Sequence, residues 1–174
     1  KQIAIAKSEI LQNTKSGGFA VLNTDDDFFS LHKKIAVQNK LNLVSFGIKN
    51  KKSNIKFINI KRIGKIYKLN IKIKNKKKYF LISNNFQNNI YNIIAAVAVI
   101  GIYKNILKLD KNIFLNFKTP EGRGDFSKLK INKKNINLID ESYNSNPLSL
   151  KSAILNYDKI FSNNKKRYLL LGDM

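Results

Sequence analysis

Apolar residues recur at helical spacing between Gln2 and Asn13, with Ile3, Ala6, Ile10 and Leu11 on one side, which predicts an amphipathic helix. Gly17 and Gly18 end it, and Phe19 to Leu22 then reads as a short buried strand. Asn23 to Asp27 is a polar loop in which Thr24 or Asp25 could cap the next helix, running to about Gln38. Leu43 to Phe46 is a second strand. Helix and strand thus alternate, as they do in a parallel sheet.

From Asn54 to Ser83 the period changes to two, with Ile55, Phe57 and Ile60, then Ile66, Tyr67, Leu69, Ile71 and Ile73, then Tyr79 and Leu81. Gly64-Lys65 and Asn75-Lys76 interrupt as turns. The pattern predicts a three-stranded antiparallel meander with one wet, lysine-rich face. A long, Ala- and Val-rich helix is expected from Asn88 to about Ile106, and a short one from Asp110 to Phe117. Thr119 to Gly124 is Pro/Gly-rich and marks a domain boundary. Beyond it the pattern predicts a hairpin over Phe126 to Asn132 and Asn137 to Ile139. A helix over 147–162 and a buried strand from Tyr168 to Leu171 follow, which opens a second α/β domain.

Composition narrows the classes. The net charge of +22 first suggests nucleic acid or an anionic membrane. Only Arg62, Arg123 and Arg167 are arginines, however, and a nucleic-acid surface favours arginine for bidentate contacts. Asn and Ile are abundant alongside Lys, and all three share A/T-rich codons. The lysine excess therefore reads as solvated surface. The absence of cysteine excludes a disulfide scaffold and a cysteine-ligated metal. The longest apolar run, Ile93 to Ile102, is too short to cross a bilayer. One histidine, His32, has no acid or Cys beside it and reads as a surface residue; it cannot build a Ser-His-Asp or Cys-His set. No metal-spacing cluster and no G-x-x-x-x-G-K-[ST] phosphate loop occurs.

Four places could carry chemistry. The strand-to-loop-to-helix run Asp140-Glu141-Ser142-Tyr143-Asn144-Ser145-Asn146-Pro147 delivers polar side chains where open α/β sheets place ligands, although a capped helix after a buried strand has the same pattern. Arg123 lies between two glycines, where backbone can approach a phosphate and a guanidinium fork can hold it; a linker with a solvated arginine would look alike. Asn89 and Asn92 share a helix face and could read the donor and acceptor edges of a base, or could cap a helix. Lys7, alone near a helix start, looks like surface.

In this order and spacing the motifs resemble the Mur ligases. The matching stretches are Ile5 to Ile10, Gly18 to Asp26, Asn88 to Ala96, Pro120 to Gly124, Ile139 to Pro147 and Leu169 to Met174. The run from Asp140 to Pro147 is the specific one and is similar to the members that join D-alanyl-D-alanine to UDP-N-acetylmuramoyl-tripeptide. The asparagine and lysine motifs are shared more widely, including with folylpolyglutamate synthases.

The resemblance implies an α/β protein. Residues 1–119 are expected to be the later part of the Mur ligase central, ATP-binding domain, a parallel sheet with a small antiparallel meander. Residues 120–174 are expected to start a Rossmann-like α/β C-terminal domain. It implies ATP and Mg²⁺ as cofactors, a cytoplasmic monomer, and neither nucleic acid nor membrane as partner. Lys7 matches the lysine carbamylated in the family, whose carbamate would be a Mg²⁺ ligand. Asn89 and Asn92 match residues at the adenine, and Arg123 the arginine that reaches the ATP phosphates. Asp140 or Glu141 matches the acid at the ribose, Glu141 being favoured by its place before Ser142. Tyr143, Asn144 and Asn146 line the same loop. Asn88 and Phe86 depart from a usual His and Gly. The family's phosphate loop, its Mg²⁺-binding Glu and its His all precede the position of Lys7, so the chain is expected to be an internal fragment, inactive by itself. The competing readings are another amide ligase of the superfamily, a degenerate non-catalytic homologue, and a basic nucleic-acid-binding module with Tyr67 and Tyr79 as stacking residues.

Overall fold

The computed structural model describes residues 2–50, 52–83, 90–116, 120–143, 147–160 and 166–172. The chain divides into two compact units, Lys1–Phe117 and Lys118–Met174.

The first unit is built on one five-stranded sheet in simple sequence order. Helix α1 (Gln2–Gln12) leads to β1 (Phe19–Asn23), then α2 (Phe29–Gln38) and β2 (Asn42–Gly47). The next three strands are β3 (Ile55–Ile63), β4 (Ile66–Ile73) and β5 (Lys76–Ser83), followed by α3 (Ile90–Tyr103). β1, β2 and β3 are parallel, and β3, β4 and β5 form the antiparallel meander that the alternation predicts. The period of two did not reveal that the meander continues the parallel sheet. The join is short, with only Phe46 opposite Ile55 and Gly47 opposite Lys56. Beside it, Asn54 Oδ1 accepts from the backbone N–H and the hydroxyl of Ser45, both at 2.8 Å, which satisfies that buried serine.

The core lies between the sheet and α3. Leu69 and Ile71 on β4, and Phe80 and Ile82 on β5, are fully buried beneath Ile93, Ile94, Val97 and Ala98. An Ala/Val-rich helix can lie this close to a sheet because its side chains are short. The opposite face of the meander carries Lys61, Lys68, Asn70 and Lys77, around a shallow basin of about 260 Å³. Lys78 instead turns its ammonium onto the carbonyls of Leu107 (3.1 Å) and Leu109 (2.5 Å), which anchors the 3₁₀ turn Ile106–Lys108.

Several sequence expectations are corrected. Ala4, Ser8 and Leu11 are the buried residues of α1, while Ile3 and Ile10 are over 70% exposed. Small residues face α2 and permit close approach; Ser8 keeps its hydroxyl satisfied on the carbonyl of Ile5 (2.6 Å). His32 is half-buried rather than a surface residue, with Nε2 3.1 Å from the carbonyl of Ala4, so it ties α2 to α1. Neither Thr24 nor Asp25 caps α2, which begins after Phe28 without a side-chain cap. The helix expected over 110–117 is not formed among its described residues, 110–116. Phe114 is drawn into a bridge with Ile82 and stacks edge-on against Phe80 at 5.4 Å, so packing overrides local preference.

The stacking platform of the nucleic-acid reading is also overturned. Tyr67 packs with the core, whereas Tyr79 lies on the other face beneath the ammonium of Lys68 at 4.3 Å. Opposite parity in neighbouring strands puts the two rings on opposite sides of the sheet.

The second unit contains the expected hairpin, β6 (Asp125–Ile131) and β7 (Lys134–Asp140), and α4 (Pro147–Ile160). Tyr168 to Leu171 does not form the expected strand: its four side chains are exposed and it pairs with no described strand. An apolar run becomes a strand only where a partner edge supplies its hydrogen bonds.

Candidate functional site

In the second unit a tight turn is laced to the loop that follows β7. Gly122 and Gly124 have φ of +71° and +81°, the left-handed region that glycine enters without strain. Their missing side chains also make room. A Cβ on Gly122 would sit 2.9 Å from the backbone nitrogen of Tyr143, and one on Gly124 would sit 2.9 Å from Oε1 of Glu141. The Gly124 N–H donates to the carbonyl of Asp140 (2.7 Å), and the Tyr143 N–H donates to the carbonyl of Gly122 (3.1 Å). The Gly122 N–H caps itself on Asp125 Oδ1 (2.7 Å).

This lacing brings four sequence-nominated residues together: Arg123, Asp140, Glu141 and Tyr143. The guanidinium of Arg123 lies 4.5 Å over the ring of Tyr143. Asp140 accepts from the Ser142 N–H at 2.9 Å. The Ser142 side chain and N–H hold its carboxyl below the usual aspartate range, against a small opposing effect of burial. Glu141 moves the other way. Burial raises its carboxyl, and the negative charges of Asp125 and Asp140 raise it further. Two adjacent carboxyls are thus pushed apart, one ionising readily and one holding its proton longer, beside a cation on an exposed loop. Such a set can accept hydroxyl donors and neutralise an anion. Asn144 and Asn146 lie outside the described residues.

In the first unit, Lys7 stands on the exposed side of α1. Asn92 is on the first turn of α3 and solvent-exposed; Asn88, Asn89 and Phe86 lie outside the described residues. Among the described residues no group of three or more His, Cys, Asp or Glu side chains could hold a metal ion. A Lys7 carbamate would offer Mg²⁺ a single carboxylate-like group, and the described residues do not complete a site around it.

Sequence reasoning missed a side chain of this unit that accepts four hydrogen bonds. Asp25, expected to cap a helix, instead accepts the N–H groups of Ile48 (2.6 Å), Lys49 (2.9 Å) and Asn50 (2.8 Å), and the Tyr91 hydroxyl (3.1 Å). Burial works to raise its carboxyl, but these four donors prevail and hold it below the ordinary value. Thr24 beside it donates to the carbonyl of Phe46 (3.0 Å) and shares a hydrogen bond with Ser53 (2.7 Å). The signal was present as a run of short polar residues directly after a buried strand. Its partners, 23 and more positions away, were not legible locally.

Comparison with known proteins agrees with this architecture. The family model of the Mur ligase middle domain matches residues 1–100. The UDP-N-acetylmuramoyl-tripeptide–D-alanyl-D-alanine ligase of Rickettsia prowazekii (strain Madrid E) is 27% identical over 184 aligned residues, covering 100% of this chain and 37% of that protein. The UDP-N-acetylmuramoylalanine–D-glutamate ligase of Clostridioides difficile (strain 630) is 29% identical over 161, covering 88% and 32%. The chain therefore spans about a third of the length of these relatives. Among solved structures, MurF of Thermotoga maritima in complex with ADP superposes with a TM-score of 0.67 at 19% identity, covering 88% of this chain and 34% of that one. MurF of Acinetobacter baumannii gives 0.66 at 22% identity, covering 88% and 32%. These two likenesses establish the fold. The match to more than half of the sequence establishes the family: this chain belongs to the Mur ligases, through their middle domain.

Proposed function

We propose that this chain works, within a longer protein, in an ATP-dependent amide ligase that joins D-alanyl-D-alanine to UDP-N-acetylmuramoyl-tripeptide. The observation that carries the reading is the lacing of the Arg123 turn to the Asp140–Tyr143 loop, which sets a guanidinium and ionisable acids on one laced turn in the most type-specific stretch of the sequence. The relative that covers the whole chain is named for this reaction.

In the proposed chemistry the tripeptide carboxylate attacks the γ-phosphorus of ATP, forming an acyl phosphate and releasing ADP. The dipeptide amine then adds to the acyl carbon, and collapse of the tetrahedral intermediate forms the amide and expels phosphate. Arg123 neutralises charge on the transferring phosphoryl group. Glu141, or failing it Asp140, accepts the ribose hydroxyls; Tyr143, Asn144 and Asn146 line the loop; Asn89 and Asn92 read the adenine. When bound, Mg²⁺ would neutralise phosphate charge, with the Lys7 carbamate as one ligand. Residues 1–119 act as the later part of the central domain and residues 120–174 as the start of the C-terminal domain. The protein works as a cytoplasmic monomer without nucleic-acid or membrane partners; no described helix is long and apolar enough to cross a membrane.

The test is a panel of amines offered to the full-length protein with ATP and the nucleotide tripeptide. D-alanyl-D-alanine should give the ligated product with equimolar phosphate release. A preference for D-glutamate or for a folate-linked glutamate would move the protein elsewhere in the superfamily, and the D-glutamate ligase relative makes that comparison necessary. Residues 1–174 alone should neither hydrolyse ATP nor ligate.

A further inference from the structure

We propose that Asp25 is a positioning residue for nucleotide binding, acting through Tyr91 to fix the rotation of α3. The inference rests on the adenine role assigned to Asn89 and Asn92, and it concerns residues for which that reading has no use.

Asp25 sits just past the carboxyl end of β1, and its three backbone donors come from the turn that leaves β2. Ligands of open α/β sheets bind outside these strand ends. Both carboxylate oxygens are engaged, Oδ2 by Ile48, Lys49 and Tyr91, and Oδ1 by Asn50. Three successive N–H groups converging on one carboxylate fix its position independently of Tyr91. Thr24 and Ser53 pack the same corner so closely that Gly47 has no room for a Cβ, which would meet Ser53 Oγ at 2.9 Å. Asp25 is therefore held by the rigid part of the unit, and the Tyr91 hydroxyl reaches out to it.

Tyr91 is the second residue of α3, between Asn89 and Asn92 in sequence. Each helical residue turns by about 100°. Holding Tyr91 at one azimuth thus sets the direction of its neighbour Asn92. The fully buried residues of α3 begin at Ile93 and only the half-buried Ile90 packs on the core before them, so the Tyr91 hydrogen bond adds a directional hold on the first turn. Burial, the hydrogen bond and the charge of Asp25 all raise the Tyr91 hydroxyl above its ordinary value, so it remains the donor. The bond spans 66 positions of sequence.

The test uses full-length protein and the variants Tyr91→Phe and Asp25→Asn, with dissociation constants for ATP and for inorganic tripolyphosphate, and melting temperatures. Tyr91→Phe removes only an oxygen at a partly exposed site and keeps the ring, so it tests the inference even where Asp25→Asn fails to fold. It should weaken ATP about 5- to 10-fold, the scale of one lost hydrogen bond to a charged group. Tripolyphosphate affinity should be unchanged and the melting temperature should move by about 2 °C or less. In turnover, the KM for ATP should rise while kcat and the KM for the amine stay within about twofold. ATP affinity equal to wild type in Tyr91→Phe, or equal losses for ATP and tripolyphosphate, would overturn the inference alone. Wild-type protein that binds tripolyphosphate no worse than ATP would overturn the adenine role and the inference together.

Discussion

Arg123 and Tyr143 are stacked, the guanidinium 4.5 Å over the ring, and both are tied by backbone hydrogen bonds to the same two-glycine turn. An arginine on an exposed loop ordinarily samples many rotamers; one lying on an aromatic ring has given up part of that freedom before its ligand arrives. Arg123→Ala in the full-length protein should lower kcat by about 10²- to 10³-fold, as expected when one charge-stabilising group is removed from a transition state. Tyr143→Phe keeps the ring face and should stay within about threefold of wild type, whereas Tyr143→Ala should lose about 3- to 10-fold through a less ordered Arg123. Steady-state rates of phosphate release separate the three; a Tyr143→Phe defect as large as that of Tyr143→Ala would show that the hydroxyl, not the ring, matters.

Glu141 gives a pH signature. Burial first, and then Asp125 and Asp140, make its folded form hold the proton more tightly than the unfolded chain does. As pH rises from the ordinary glutamate range through the raised value, the unfolded state loses its proton first, so stability falls across that window. Glu141→Gln removes this penalty. The variant should melt higher than wild type at neutral pH, and the two should converge at about pH 4, below both values. Differential scanning calorimetry at the two pH values checks the sign.

Asp25 behaves in the opposite sense. Although burial opposes ionisation, its four donors leave the folded carboxyl below its ordinary value. Its stabilisation is present above the unfolded value and is lost as pH falls through the folded one. Asp25→Ala should therefore destabilise the first unit at pH 7 and much less under strongly acidic conditions, and it should speed amide exchange at Ile48, Lys49 and Asn50.

The core makes a simpler prediction. Phe80 is fully buried and meets Phe114 edge-to-face. Phe80→Ala should destabilise by about 3–5 kcal/mol, the range for a buried aromatic truncation. Denaturant unfolding measures it, and Phe114→Ala, at the rim of the same cluster, should lose less.

Lys7 is tested covalently. Full-length protein prepared with bicarbonate should carry a carbamate mass increment on the peptide containing Lys7, and Lys7→Ala should abolish ligation while leaving the melting temperature nearly unchanged, because the side chain is exposed on α1. Near-normal turnover in that variant would remove Lys7 from the mechanism.

Local period carried much of the fold. Each strand of the meander and the helices α1 and α3 followed from alternation or helical spacing, because each of these elements buries one face. What failed depended on distant partners. Phe114 left its expected helix for Ile82 and Phe80, and Ala4 and Ser8, not Ile3 and Ile10, faced inward because α2 packs close. The acid-rich loop after β7 was legible as chemistry because polar residues there break an apolar strand. Asp25 was not, since its donors lie on the next strand connection and on α3. Tyr79 and Tyr67 looked equivalent until pairing register placed them on different faces.

The two-pair seam between β2 and β3 bears on how the chain is made. Among the described strands the meander pairs with itself and, through that seam, with β2, and its bridge to Phe114 comes later in the chain, so it can form from local contacts as soon as residue 83 has been synthesised. Its apolar face, with Leu69, Ile71, Phe80 and Ile82, then waits uncovered until residues 90–103 emerge to cover it. A growing chain passes through a stage in which the sheet exists and its lid does not. Nascent-chain capture by a hydrophobic-binding chaperone should accordingly peak once the meander has emerged and fall when α3 follows.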